Sequence, residues 1–474
     1  MSELSIEPGS FRDRHGKIYY VDGRVYRGLS EKALDDWRAL ARTRLFARHA
    51  ERGSLIGTRE LDQPPSSDQL VCGWVGTLSH DTVPFITYPY EWSFHMLKDA
   101  ALLQLTLILE ALDEGLMLKD ASSFNIQWRG CHPVFIDITS FEQLDEHSPW
   151  GGYRQFCQLF LFPLMVQAFK NIDFHVLLRG DLEGVPVELA AKLMSLRDYL
   201  RPGVLPHIVI QAKLQSRLAA SRKNIKRDLK QAGFNKALIQ NNVTRLRQLV
   251  EKLEWTPRES HWSGYAHLDH YTPAATTAKQ TFVIKAVSSR HRRLVWDLGC
   301  NTGVYSRLAA ENAAHVIAMD ADHLAIDRFY TGLKVDNISN ITPIVNDLSD
   351  SSPSLGWRNQ ERKTLEQRGK PDLVLCLALI HHVVIGANIP LDDFIDWLAG
   401  LNADIVIEFV DKQDQMVQRL LCNKDDVYAD YERKHFENCL ARYYAIRAEE
   451  TLENGTRFLY YAERHPPPGP NSHG

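Results

Sequence analysis

No two cysteines in this chain are spaced as a C-x-x-C pair, and the seven present (Cys72, Cys131, Cys157, Cys300, Cys376, Cys422 and Cys439) are odd in number. Neither a disulfide framework nor a zinc site is therefore expected, and reduced thiols in a cytosolic protein are the plain reading. No apolar run free of charges and histidines reaches the roughly 18 residues a membrane helix needs. Phe156–Phe169 comes closest and reads as a core helix. The first eight residues, Met1–Pro8, lack a basic stretch followed by an apolar one, so no signal peptide is expected. No internal repeat is present. The net charge of −4 supplies no global attraction for nucleic acid. The proline-rich end, residues 466–474, is expected to be disordered.

What is there is ordinary in bulk. With 474 residues, 44% apolar and 24% charged, the chain is long enough for two or three globular domains.

The most informative stretch is Leu294-Val-Trp-Asp-Leu-Gly-Cys-Asn-Thr-Gly303. Leu294–Leu298 has the pattern of a strand buried on both faces. Gly299 to Gly303 turns tightly, and Val304–Glu311 reads as a helix. A strand, a glycine turn and a helix form the nucleotide-binding corner of an open α/β sheet. A dinucleotide fingerprint, G-x-G-x-x-G, would need glycine at Asn301 and Val304. The second glycine lets a pyrophosphate approach the backbone, and a ligand without phosphates does not need it. Further strands are expected at His315–Asp320, Ile341–Asp347, Asp372–Leu379 and Asp404–Val410, with helices at His323–Asn337 and Leu391–Leu401 between them. Tyr444–Leu452 and Thr456–Glu463 then read as a hairpin around Asn454-Gly455.

Alternating α/β units closed by an antiparallel hairpin resemble the class I S-adenosylmethionine (SAM)-dependent methyltransferase fold, over Tyr265–Arg464. The resemblance implies a Rossmann-like sheet of five parallel units plus that hairpin. It implies that Asp297, Gly299, Asn301 and Gly303 shape the pocket around the methionine part of SAM. Asp320 would hold the ribose hydroxyls and Asp347 the adenine amino group. The bland alternative for each acid is a turn or cap residue, as Asp commonly is at strand ends. The acceptor would sit beyond the fourth strand, where His381 and His382 are the candidate general bases and pocket packing is their competing role. Glu408 and Asp411 end the fifth strand. Trp262, Tyr265, Tyr271 and Lys279 precede the core, and one of them is a candidate contact to the methionine carboxylate or the acceptor. The whole chain also resembles bacterial proteins related to host-specific nodulation methyltransferases, a label that carries no substrate.

The N-terminal region reads as α+β. Strands are expected at Lys17–Val21 and Arg24–Tyr26, a helix over Ser30–Arg48, strands within Leu55–Leu61 and Gln69–Leu78, and a long helix over Ser93–Gly115. Asp120, Asn125 and Asp137 then fall after a helix, before a strand and at the end of the next strand. This order resembles the catalytic centre of kinase-like phosphotransferases. By that resemblance Asp120 would orient the acceptor, and Asn125 and Asp137 would hold Mg²⁺ with ATP. The departures are a missing glycine-rich loop, no assignable ATP-pairing lysine, Leu118-Lys119 in place of His-Arg, and Ile138-Thr139 after Asp137 in place of Phe-Gly. A lobe that transfers no phosphate is the favoured reading over active Mg-ATP chemistry.

Between the two regions, Gln211–Lys252 carries eleven lysines and arginines against two acids. RNA binding is the sharp reading. The favoured one is a docking helix with a solvated face, because Leu214, Leu218, Ile225 and Leu229 form an apolar stripe and the lone aromatic, Phe234, gives no interleaved set to stack bases. The expected organisation is an N-terminal domain (1–204), a basic connector (205–255), a methyltransferase domain (256–465) and a tail (466–474). Its expected partner is a methyl acceptor of undetermined class.

Overall fold

The computed structural model describes residues 4–466 apart from 67, 146–147, 220–234, 257–271, 423 and 453–454. The expectations for the charges of 220–234, for Trp262, Tyr265 and Tyr271, for Asn454 and for the tail lie outside the described residues. The chain divides into two compact units. One comprises residues 1–128, 132–258 and 354–362; the other comprises 129–131, 259–353 and 363–474. Among the described residues no helix is long and apolar enough to cross a membrane.

The first unit opens with β1 (Leu4–Ile6), β2 (Gly16–Val21) and β3 (Arg24–Leu29), followed after two helices by β4 (Thr58–Leu61) and β5 (Gly76–His80). They form one antiparallel sheet in the order β1-β2-β3-β5-β4. The expected single helix over Ser30–Arg48 is two, Glu31–Ala41 and Arg44–Glu51. Thr43 stops the first and caps the second, accepting from the Phe46 N–H at 3.1 Å. Gln69–Cys72 is a helical turn and not strand. The helix Phe94–Asp113 follows, capped by Ser93. Short strands β6 (Leu116–Leu118) and β9 (Phe141–Gln143) pair, and β7 (Ile126–Arg129) and β8 (His132–Phe135) pair between them. The helix Lys236–Glu251, from the expected connector, packs on Phe94–Asp113 and belongs to this unit.

The second unit is a seven-stranded sheet: β10 (Arg292–Leu298), β11 (Ala313–Asp320), β12 (Ile341–Val345), β13 (Leu373–Cys376), β14 (Asp404–Val410), β15 (Tyr444–Thr451) and β16 (Arg457–Arg464). The order is β12-β11-β10-β13-β14-β16-β15, parallel except for β16, which runs antiparallel to β14 and β15. This is a Rossmann-like sheet with a closing antiparallel hairpin, the arrangement expected from the sequence. The central strands read as apolar runs because helices cover both faces; Val295, Trp296, Ile317, Leu375 and Val406 are buried. The fully buried Arg292 ties the amino-terminal edge together, donating to Asp404 at 2.7 Å and to the Tyr461 hydroxyl at 3.1 Å. The helix His323–Val335 buries Leu324, Ile326, Phe329, Tyr330 and Leu333, each worth about 1.5–3 kcal/mol of burial before entropy is counted. From β10 the chain winds outward to β11 and β12 on one side and to β13 and β14 on the other. The crevice between those directions is where open α/β sheets bind ligands.

Candidate active site

The turn after β10 is built by backbone geometry. Gly299 (φ 73), Asn301 (φ 50) and Gly303 (φ 80) all take left-handed conformations, which glycine adopts freely and asparagine tolerates. The Gly299 and Cys300 N–H groups donate to the Met319 carbonyl at 2.8 and 2.9 Å, which fixes the turn against the end of β11. Gly303 serves packing: a Cβ there would lie 1.9 Å from Phe329 Cζ.

A cavity of about 600 Å³ opens at the carboxyl ends of β10–β13. Gly299, Asn301, Asp320, Asp322, Asn346, Asp347 and Ser349 form its polar wall. Ala378, Leu379, Val383 and Leu420 form an apolar one, with His382 beside them. Among the described residues no lysine or arginine lines it.

Asp320 ends β11 with each carboxylate oxygen accepting one backbone N–H, from Asn301 at 2.8 Å and from Asp322 at 2.9 Å. Burial raises its pKa. A carboxylate has about four lone-pair sites, so both oxygens keep capacity for a diol. Asp322 is spent on capping His323–Val335, accepting from Leu324 and Ala325. Asp347 lies beyond the end of β12, exposed, and accepts from the Ser349 N–H and hydroxyl at 2.9 and 2.7 Å. It therefore both lines the cavity and fills the bland turn role.

Other sequence-picked residues lie apart from this wall. Asp297 and Gly303 are not among the cavity-lining residues. Asp297 is buried, accepts from the Ser306 hydroxyl at 2.5 Å and thereby ties Val304–Ala310 to β10. Burial pushes its pKa up to about 6, against the bond from Ser306. His381 is 1% exposed and is also absent from the lining. Burial, then His382, Arg457 and Lys279, hold it well below the ordinary imidazole range. His382 lines the cavity, its ring 4.2 Å from that of His381, and burial takes it down to about 4. Of the two, only His382 lines the cavity, and it does so as a neutral imidazole at pH 7.

Lys279 is buried with its Nζ 2.6 Å from Glu408 and 4.9 Å from the centre of the Tyr305 ring. Arg457 joins Glu408 (3.4 Å) to Asp414 (2.7 Å). Two cations and two carboxylates thus balance inside the unit, which makes Lys279 a core ion-pair residue. The sequence reading missed Asn346, Asp322 and Ser349. Asp322 had a signal as an Asp just before an amphipathic helix. It also missed Ala378, which follows the end of β13 at Cys376 with a φ of 52 and lines the cavity. A left-handed alanine costs roughly 1–2 kcal/mol, and such strain concentrates at binding sites.

In the first unit, Asp137 accepts from Arg27 at 2.7 Å and from Thr139 at 2.8 Å, and Asn125 Nδ2 lies 3.4 Å from its other oxygen. Burial would raise Asp137, yet Arg27 and Thr139 bring it below the usual carboxylate value. Asp120 is raised, by burial and then by Asp137.

No family model matches the chain. It is 34% identical over 459 residues to the nodulation protein NoeA of Rhizobium meliloti strain 1021, an alignment covering 96% of this chain and 95% of NoeA. The chain belongs to the NoeA family. Solved structures similar to part of it include the N-methyltransferase NodS of Bradyrhizobium japonicum WM9 in complex with S-adenosyl-L-homocysteine, at 12% identity over 43% of this chain and 97% of NodS, with a TM-score of 0.31. Another is the magnesium protoporphyrin IX methyltransferase ChlM of Synechocystis PCC 6803, at 17% identity over 44% of this chain and 90% of ChlM, with a TM-score of 0.29. The NoeA match spans both units, whereas each of these spans under half the chain.

Proposed function

We propose that the second unit is a SAM-dependent methyltransferase. The observation that carries this is the charge of the cavity: Asp320, Asp322 and Asp347 line it at the switch point, with no cation among the described lining residues. A pyrophosphate would be repelled there, and the turn has Asn301 where a dinucleotide site needs glycine. A sulfonium-bearing adenosine is favoured by the same wall. SAM supplies an electrophilic methyl group for in-line displacement. The chain's part is to hold an acceptor against it and exclude water. Asp320 would take the ribose hydroxyls, Asn346 and Asp347 would flank the adenine, and Leu379, Val383 and Leu420 would form the dry acceptor wall. His382, unprotonated at neutral pH, would receive the acceptor's proton. The relationship to NoeA extends the proposal to nodulation, the process in that relative's name.

Calorimetry of the full chain with SAM, its demethylated product and NAD tests the reading. SAM and product should bind and NAD should not; NAD binding without SAM binding would overturn it. Asp320→Ala should weaken SAM by about 1–3 kcal/mol, the loss of a charged hydrogen-bond acceptor.

A second reading concerns the first unit. Its sheet order β1-β2-β3-β5-β4, its long helix and the β6–β9 and β7–β8 pairs around Asp120, Asn125 and Asp137 support a kinase-like fold. Arg27, on the third strand, bonds Asp137 directly. We infer a module that transfers no phosphate and serves as a scaffold or acceptor-binding lobe.

A further inference from the structure

We propose a zinc site in the second unit, formed by Asp392, His435 and Cys439, independent of the SAM reading. Asp392 stands in the first turn of Leu391–Gly400, and His435 and Cys439 stand four apart on one face of Arg433–Ala441. Their ligand atoms all lie within 4.8 Å of one another. His435 Nε2 is 2.7 Å from Asp392 Oδ2, and Cys439 Sγ is 3.5 Å from His435 Nε2. A tetrahedral zinc ion, about 2.3 Å from sulfur and about 2.0 Å from nitrogen, sets those two ligand atoms about 3.5 Å apart. The sulfur–imidazole edge is therefore already at its liganded length, and the His435–Asp392 contact must open, to about 3.3 Å.

Three further features fit a metal better than a surface ion pair. The outer oxygen of Asp392 accepts from Arg442 at 2.7 Å, which turns Oδ2 toward the other two groups. A partner of that kind commonly orients a metal-binding carboxylate. Cys439 is 1% exposed, while the side chains of His435 and Asp392 are about a third exposed, which leaves the fourth position open to water. Thiolate, carboxylate and neutral imidazole carry together the two negative charges that Zn²⁺ cancels. A nitrogen, sulfur and oxygen set also suits zinc over magnesium or calcium, which take oxygen. Cysteine ligates zinc as its thiolate, so binding forms the Zn–S bond with loss of the sulfur proton to solvent. The absence of paired cysteines hid this site from sequence reading, because its ligands come one each from three residue types.

The test uses the full chain, stripped with a chelator and reloaded with zinc or cobalt. Wild type should retain one equivalent of zinc through dialysis and release about one proton per ion at pH 7. With cobalt it should show a sulfur-to-metal charge-transfer band. Cys439→Ala should abolish that band and cut zinc retention at least tenfold. His435→Gln, at a partly exposed position and so a gentler change, should also cut it at least tenfold. A wild-type chain that retains no zinc or shows no sulfur band overturns the proposal. So does a band that survives in Cys439→Ala, or full zinc retention in His435→Gln.

Discussion

Asp297, His315 and His382 titrate in opposite senses around one sheet. Asp297 is raised from 3.8 to about 6, so the folded unit binds more protons than the unfolded chain between those values. Its contribution to stability falls as pH rises through that window. His315, buried and bonded to Thr342 at 3.0 Å, and His382 are each lowered from 6.5 to about 4. The folded unit binds fewer protons there, so their contributions grow as pH rises from about 4 to about 6.5. Two imidazoles outweigh one carboxyl, and denaturation across that range should show stability rising with pH. His315→Gln, which keeps a hydrogen-bonding group toward Thr342, should flatten the slope, and Asp297→Asn should steepen it. An unchanged slope in both variants would refute the assignment. At this scale the sequence was readable where the backbone alone decides. The turn of Gly299, Asn301 and Gly303 and the acid ending β11 stand where the strand–turn–helix pattern put them. The adjacent His381 and His382 were not separable by pattern, because a single residue's step along the chain turns one ring into the core and the other into the cavity.

The helix Val304–Ala310 has only seven residues, so it is held by tertiary contacts more than by its own propensity. Two of these are specific: the Ser306–Asp297 bond, and the close approach of Gly303 to Phe329. Gly303→Ala would place a methyl within the Phe329 ring and force a non-glycine residue to φ 80. Overpacking costs about 1–3 kcal/mol and the left-handed conformation roughly 1–2 more. The second unit should unfold at lower denaturant and bind SAM more weakly, and Phe329→Leu in the same chain should restore part of the loss. No recovery in the double variant would place the defect in the backbone alone. The parallel strands and their helices were legible from apolar runs and 3.6-residue periodicity. Local exceptions were not. Thr43 ends one helix and caps the next within an unbroken amphipathic pattern, and Gln69–Cys72 is apolar enough to read as strand. β13 stops at Cys376 although nothing in Asp372–Leu379 reads as a turn.

The division of the whole molecule was the least legible feature. Residues 354–362 fall between β12 and β13 in the chain yet belong to the first unit. There Glu361 pairs with Arg12 at 2.7 Å and the Arg362 guanidinium lies 3.9 Å from the centre of the Phe124 ring. Contacts between residues hundreds apart leave no periodic trace. The same holds for Arg27 and Asp137, and that pair decides what the first unit can do. Phosphoryl transfer is mostly positioning and charge neutralisation, with metal held by an Asn and an Asp. Here the Asp is already neutralised. Arg27 is 6% exposed and bonds both Asp137 and Thr139. Freeing Asp137 for a metal would strand a buried guanidinium, and breaking a buried pair costs about 3–5 kcal/mol. Each missing electrostatic contact typically removes about 10²–10³ in rate, and the sequence before Asp120 has no glycine-rich phosphate loop. The full chain should therefore release no phosphate from Mg-ATP, with or without SAM, and Mg-ATP should not raise its melting temperature. Arg27→Met should destabilise the first unit through the unpaired Asp137, most strongly above the carboxylate's pKa. Phosphate release by the wild type, abolished in Asp137→Asn, would show that the pair opens in solution and that the chain carries two activities.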